Sequence, residues 1–99
     1  MLGIDIKTPN ERKPMPSISM FYGIVIYMYY EDHCPPHFHA KYQSQEAIYS
    51  LDGEVINGGL PAKQHKLVSA WTALHEDELL ANWKLAEELE KLYPIEPLR

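Results

Sequence analysis

The chain is short of several things at once, and each shortage removes a class of protein. It has one cysteine, Cys34, so no intrachain disulfide can form, which suits a reducing compartment. Its longest apolar run, Ile24–Tyr30, falls far below the about 20 residues that a membrane-spanning helix needs. Residues 1–14 carry Asp5, Lys7, Glu11, Arg12 and Lys13 with no apolar core between them, so no secretory leader is expected and the expected location is cytoplasmic. Basic residues are scarce as well. Nine Lys and Arg stand against 14 Asp and Glu, a net charge of −5, and the acidic excess falls in residues 46–99. A duplex nucleic-acid binder draws most of its affinity from neutralising phosphates along a basic stripe. Nucleic acid is therefore an unfavoured partner, and a membrane is not expected as one. Nor is there a phosphate-cradling loop. Asn57-Gly58-Gly59 lacks the G-x-G-x-x-G spacing and reads as a turn, so no residue is assigned to binding an organic cofactor.

What remains is an ordinary globular composition, 45% hydrophobic and 23% charged over 99 residues. That is enough for one domain and too little for two. Residues 1–14 read as an N-terminal extension, a frayed arm or one tied down by a short strand, and residues 15–99 as a single compact domain. The β-branched and aromatic block Tyr22–Tyr30 predicts a strand, with Gly23 marking a bulge. Pro35-Pro36 forces a corner. The alternating His37–Tyr42 and Gln45–Leu51 predict two more strands, Asp52-Gly53 a hairpin turn, and Glu54–Ile56 a short returning strand. From Pro61 the pattern turns helical, with Leu67, Trp71 and Leu74 on one face. Leu79, Leu80, Trp83 and Ala86 are rotated away from that face. A break near His75, with Glu76-Asp77-Glu78 opening a second helix, accounts for this better than one bent helix. Pro94 is the expected stop, and Tyr93–Leu98 a candidate edge strand. The expected fold is therefore α+β: a small antiparallel sheet of about four strands over residues 17–57, then one bent or two helices over about 61–92.

The segment that carries chemistry is Asp32-His33-Cys34-Pro35-Pro36-His37-Phe38-His39. On a strand, His37 and His39 project from the same side, a spacing that lets two imidazoles take adjacent positions on a metal. His33 or Asp32 would supply a third ligand, Cys34 a soft one, and Glu31 or Glu46 a carboxylate behind an imidazole. The expected cofactor is a divalent transition metal. Without a metal, His37, His39 and Lys41, with Tyr42, would form an acid–base set able to work on RNA or another phosphoester. Histidines beside prolines and aromatics also pack as plain corner residues. Two sharper motifs fail on spacing. The first glutamate after His39 is Glu46, too distant for a cupin, and Lys41 stands where a histidine-triad hydrolase needs a third histidine.

Met15-Pro16-Ser17-Ile18-Ser19-Met20-Phe21-Tyr22-Gly23-Ile24, the D-H-x-P-P-H-F-H segment with Tyr42, the helical stretches Trp71–His75 and Glu78–Trp83, and the closing Ile95-Glu96-Pro97-Leu98 together resemble the small prokaryotic family known as domain of unknown function 4160. The resemblance runs over roughly residues 15–98. It implies no activity. It does imply one half of a toxin–antitoxin-type pair, hence a small protein partner. Tyr22, Tyr27, Tyr29, Tyr30, Trp71 and Trp83 are many large aromatics for one thin core. The expected function is accordingly a protein-interaction module, working as a homo-oligomer or with a small protein partner. The alternative is a metal or acid–base site on the histidine segment.

Overall fold

A computed structural model describes residues 15–99; the N-terminal extension lies outside the described residues. The described chain forms five strands and then two helices: β1 (Ser17–Phe21), β2 (Ile24–Tyr27), β3 (His37–Tyr42), β4 (Gln45–Ser50), β5 (Val55–Gly58), α1 (Ala62–Leu74) and α2 (Glu76–Glu87). The strands lie in sequence order in one antiparallel sheet. The fold is α+β, as its order of patterns implies.

The extra strand is β1, which lies before the aromatic block, and the block itself supplies only β2. Residues 22–30 do not form one strand, because Tyr22 and Gly23 both take positive φ, 49° and 79°, and make a two-residue hairpin loop between the paired Phe21 and Ile24. Positive φ at both central residues matches the right-handed twist of the flanking strands. The usual Asn-Gly signal for such a loop is replaced here by Tyr-Gly, which hid it among strand formers.

Cross-strand pairing assigns each side chain to a face. Ile26, Ala40, Ala47 and Gly58 form one row across β2 to β5, with Phe38 opposite Tyr49 in the next. This face is the core. Phe38 stacks on Tyr49, with ring centroids 5.4 Å apart, and Trp71 of α1 stands edge-on to Phe38 at 5.8 Å. The buried residues of α1 are Val68, Trp71 and Thr72, and the half-buried Leu67 also packs against the core. Leu74, expected on the buried face, is exposed.

The helix break falls at His75, where the periodicity places it. Glu76, Asp77 and Glu78 occupy the first turn of α2, where the helix dipole favours negative charge. The capping is not the expected box: Glu78 pairs with the His75 ring. Leu79, Asn82, Trp83 and Ala86 are buried from α2, whereas Leu80 is exposed.

α2 ends at Glu87, well before Pro94, and Leu89 takes a φ of 60°. The last residues form no strand. They are held by single contacts: Asn82 Nδ2 donates to the Tyr93 carbonyl at 2.8 Å, Asn82 Oδ1 accepts from the Tyr93 N–H at 2.9 Å, and the Ile95 N–H donates to Ile18 at 2.8 Å. Trp71 Nε1 donates to the Glu96 carbonyl at 2.8 Å. No helix among the described residues is long and apolar enough to cross a membrane.

Candidate metal centre

The sheet's other face carries the histidines. Tyr27, His39, Ile48 and Asn57 form one row across β2, β3, β4 and β5. His37 and Glu46 flank that row on the same face, since side chains two apart on a strand share a side. Both rings are buried, His37 at 8% and His39 at 7% exposure, and aromatic neighbours fix their orientation. Tyr27 stacks on His39 at 5.1 Å and Tyr29 meets it edge-on at 4.9 Å. Trp83 of α2 lies 5.2 Å from the His37 ring.

Asp32 reaches these rings from the β2–β3 connection. Glu31, just before it, holds a φ of 53°, a conformation rare for a long side chain. Its N–H donates to the Ala86 carbonyl at 3.3 Å, so the end of α2 anchors the backbone that aims Asp32. Beyond it the Cys34–Pro35 peptide bond is cis.

Three groups converge here. Asp32 Oδ2 lies 2.9 Å from His37 Nε2 and 3.3 Å from His39 Nε2. One donor atom from each of the three residues lies within 4.8 Å of the others. Two ligands about 2.0–2.1 Å from a tetrahedral zinc sit about 3.3–3.4 Å apart, close to these separations. Burial tends to raise the Asp32 carboxyl, but the His33 N–H at 2.8 Å and the two histidines outweigh it and hold the group below the usual carboxylate value. Asp32 is therefore an anion at neutral pH.

The proton positions on the rings follow from their partners. His37 Nδ1 lies 2.7 Å from the Pro35 carbonyl. A carbonyl only accepts, so Nδ1 carries the proton. In neutral His37, Nε2 is then a bare lone pair aimed at a carboxylate. On His39, Nδ1 is buried with no hydrogen-bond partner, facing Glu46 Oε2 at 3.6 Å. Glu46 in turn accepts the Tyr27 hydroxyl, and burial with that contact raises the Tyr27 pKa.

The other candidates are placed differently. His33 and Cys34 are exposed and line, together with the three donors, a cavity of about 280 Å³ that Ile48, Ile56 and Asn57 also line. Lys41 is exposed and paired in register with Glu46, outside the cluster. Tyr42 lies on the opposite side of the strand. Glu31 does not enter, whereas Glu46 takes the place behind His39. Sequence reasoning did not assign Tyr27, Tyr29, Trp83, Ile48, Ile56 or Asn57 to the site. The signal for Tyr27 lay in the register, which sets it directly opposite His39.

An antiparallel sheet followed by two C-terminal helices, with two histidines on one sheet face and an aspartate converging on them, defines the class: a small α+β domain with a candidate metal centre. The chain belongs to the family described as a domain of unknown function (DUF4160), whose model matches residues 23–84. That span holds Asp32, His37, His39, Tyr27 and Glu46, and is shorter at both ends than the resemblance in the sequence. No curated protein and no solved structure matches the chain.

Proposed function

We propose that the domain binds one divalent transition metal through Asp32 Oδ2, His37 Nε2 and His39 Nε2. The observation that carries this reading is the His37 tautomer: a ring with its proton fixed on Nδ1 by Pro35 turns a lone pair towards the Asp32 carboxylate 2.9 Å away. That arrangement needs a positive charge between the two groups. A proton on His37 Nε2, with neutral His39 donating from Nε2, would meet the need too, but it leaves the buried His39 Nδ1 bare towards the Glu46 carboxylate. A single cation satisfies all three donors at once. It also fits the outer contacts, since metal-bound histidines donate their other N–H to a carbonyl or carboxylate, as Pro35 and Glu46 are placed to accept. Two imidazoles and one carboxylate suit Zn²⁺ or Fe²⁺. Three protein donors also leave a position open, the pattern of metal sites that act on a ligand rather than only brace a fold.

The test is elemental analysis of untagged protein after incubation with Zn²⁺ or Fe²⁺ and dialysis, beside the His37→Ala/His39→Ala variant. Close to one metal per chain, absent from a variant that keeps its circular dichroism, supports the centre. A metal-free native protein removes it.

A second reading, the interaction module forming a homo-oligomer or one half of a toxin–antitoxin-type pair, retains one observation. β5 pairs with β4 and is the last strand of the sheet, and it carries Val55 and Ile56 at 42% and 47% exposure. An apolar edge strand is a template for another chain. The large aromatics support this reading less than their number implies, because Tyr27, Trp71 and Trp83 are buried in this chain's own fold. Light scattering of the native protein and of Val55→Lys separates the cases: a dimer that the substitution dissolves favours the edge, and a monomer in both counts against it.

A further inference from the structure

We infer that the cavity beside the three donors takes a small organic monoanion, a carboxylate with a short apolar tail, bound head-first at the open metal position. The inference rests on the metal reading above and adds the chemistry of the ligand.

Charge selects the head group. A divalent ion with one carboxylate and two neutral imidazoles keeps one positive charge, which one monoanion cancels. No Lys or Arg lines the cavity among the described residues to balance a second negative charge, and the Glu46 charge, half exposed behind His39, is screened by water. A phosphate monoester dianion would leave an uncompensated negative charge in a partly buried site, which is costly.

The wall selects the tail. Beside the donors, Ile48 of β4, the cross-strand neighbour of His39, and Ile56 of β5 line the cavity with the Asn57 amide. Ile56 faces the cavity for a specific reason. In the β4–β5 ladder Asn57 pairs with Ile48 and Val55 with Tyr49, so Ile56 is an extra residue at a bulge. A bulge re-aims a side chain. Here it lets the consecutive residues Ile56 and Asn57 both line the cavity, which regular alternation forbids. A volume of about 280 Å³ lies just below the range usual for ligand pockets, so the tail is short.

The experiment loads the full chain with Co²⁺ and follows its visible absorption during titration with formate, acetate, butyrate and inorganic phosphate. Butyrate is expected to act at a concentration about tenfold lower than formate, as partial burial of its methylenes against isoleucine implies, and phosphate only above butyrate. Ile56→Asp and the milder Ile56→Thr are expected to take up Co²⁺ normally and to lose that chain-length preference. A Co²⁺ spectrum that carboxylates leave unchanged overturns the inference while the metal centre stands. So does one that phosphate moves before butyrate, or a preference that survives both variants. A protein that takes up no Co²⁺ removes the metal centre and this ligand together.

Discussion

Glu46 Oε2 faces Nδ1 of His39 at 3.6 Å, and the same carboxylate accepts the hydroxyl of Tyr27, whose ring stacks on that imidazole. The phenol holds the carboxylate by a hydrogen bond, and the carboxylate faces the imidazole just beyond hydrogen-bond distance. The geometry is that of a carboxylate placed to take the outer N–H of a metal-bound histidine.

Glu46→Gln and Tyr27→Phe should each weaken metal binding by about 10–100-fold, the usual cost of losing an outer partner. Glu46 is exposed and Phe preserves the buried ring of Tyr27, so thermal melting of the metal-free variants should change little. Competition with a metal-sensitive dye reads the affinity. Unchanged affinity in both variants would leave Glu46 without a role at the site.

The His37 ring should carry a proton on Nδ1 in the metal-free protein, where the Pro35 carbonyl accepts it. Nitrogen-15 chemical shifts of the imidazole report this directly. Zn²⁺ should then move the Nε2 resonance and leave Nδ1 protonated. A proton found on Nε2 with Nδ1 bare would contradict the 2.7 Å contact to Pro35.

Acid should destabilise the metal-free fold partly through Asp32. Its folded value lies below the ordinary 3.8, so its contribution is fully present above 3.8 and is lost as pH falls through the lowered value. Urea midpoints measured from pH 7 down to pH 2 should show a shallower acid loss for Asp32→Asn than for the native protein. Parallel curves would mean that Asp32 has no differential stabilisation. Metal affinity should also fall on acidification, because protons compete for both histidines.

Gly58→Ala should destabilise the protein by about 2–3 kcal/mol, from a strained backbone and a backbone clash. Gly58 holds a φ of 71°, and an added Cβ would stand 2.3 Å from the Glu46 carbonyl oxygen. Relief of that clash would displace Glu46, so metal affinity should drop with stability. Gly59→Ala is the control. A Cβ there meets nothing within 4 Å, and its effect should stay within about 0.5 kcal/mol. Equal effects from the two substitutions would overturn the assignment of Gly58 to close packing.

What local chemistry dictates was legible along the chain. Alternation in His37–Tyr42, turn-forming Asp52-Gly53 and the phase change at His75 follow from backbone periods and residue preferences, and they yield the α+β order with its helix break. The H-x-H spacing puts His37 and His39 on one side of any strand that contains them. The Tyr22-Gly23 loop was not legible, because Tyr is a strand former and only the pairing of Phe21 with Ile24 turns the chain there. Nor does the α2 terminus follow from Pro94, since Asn82 clamps the backbone at Tyr93 after the helix has already ended.

The candidate site divides the same way. The sequence by itself determined which residue types were present and that two imidazoles share a face. It could not rank Asp32 above His33, which differ by one position in a connection between β2 and β3 that turns at Glu31, bonded to the end of α2. It could not bring Tyr27 and Glu46 to His39 or Ile56 to the cavity, because cross-strand register and a bulge in β5 decide those contacts. Register is a property of the whole sheet. It is set by burying Ile26, Phe38, Ala40, Ala47 and Tyr49 on the opposite face, and slipping it by one residue would exchange that core for the histidines.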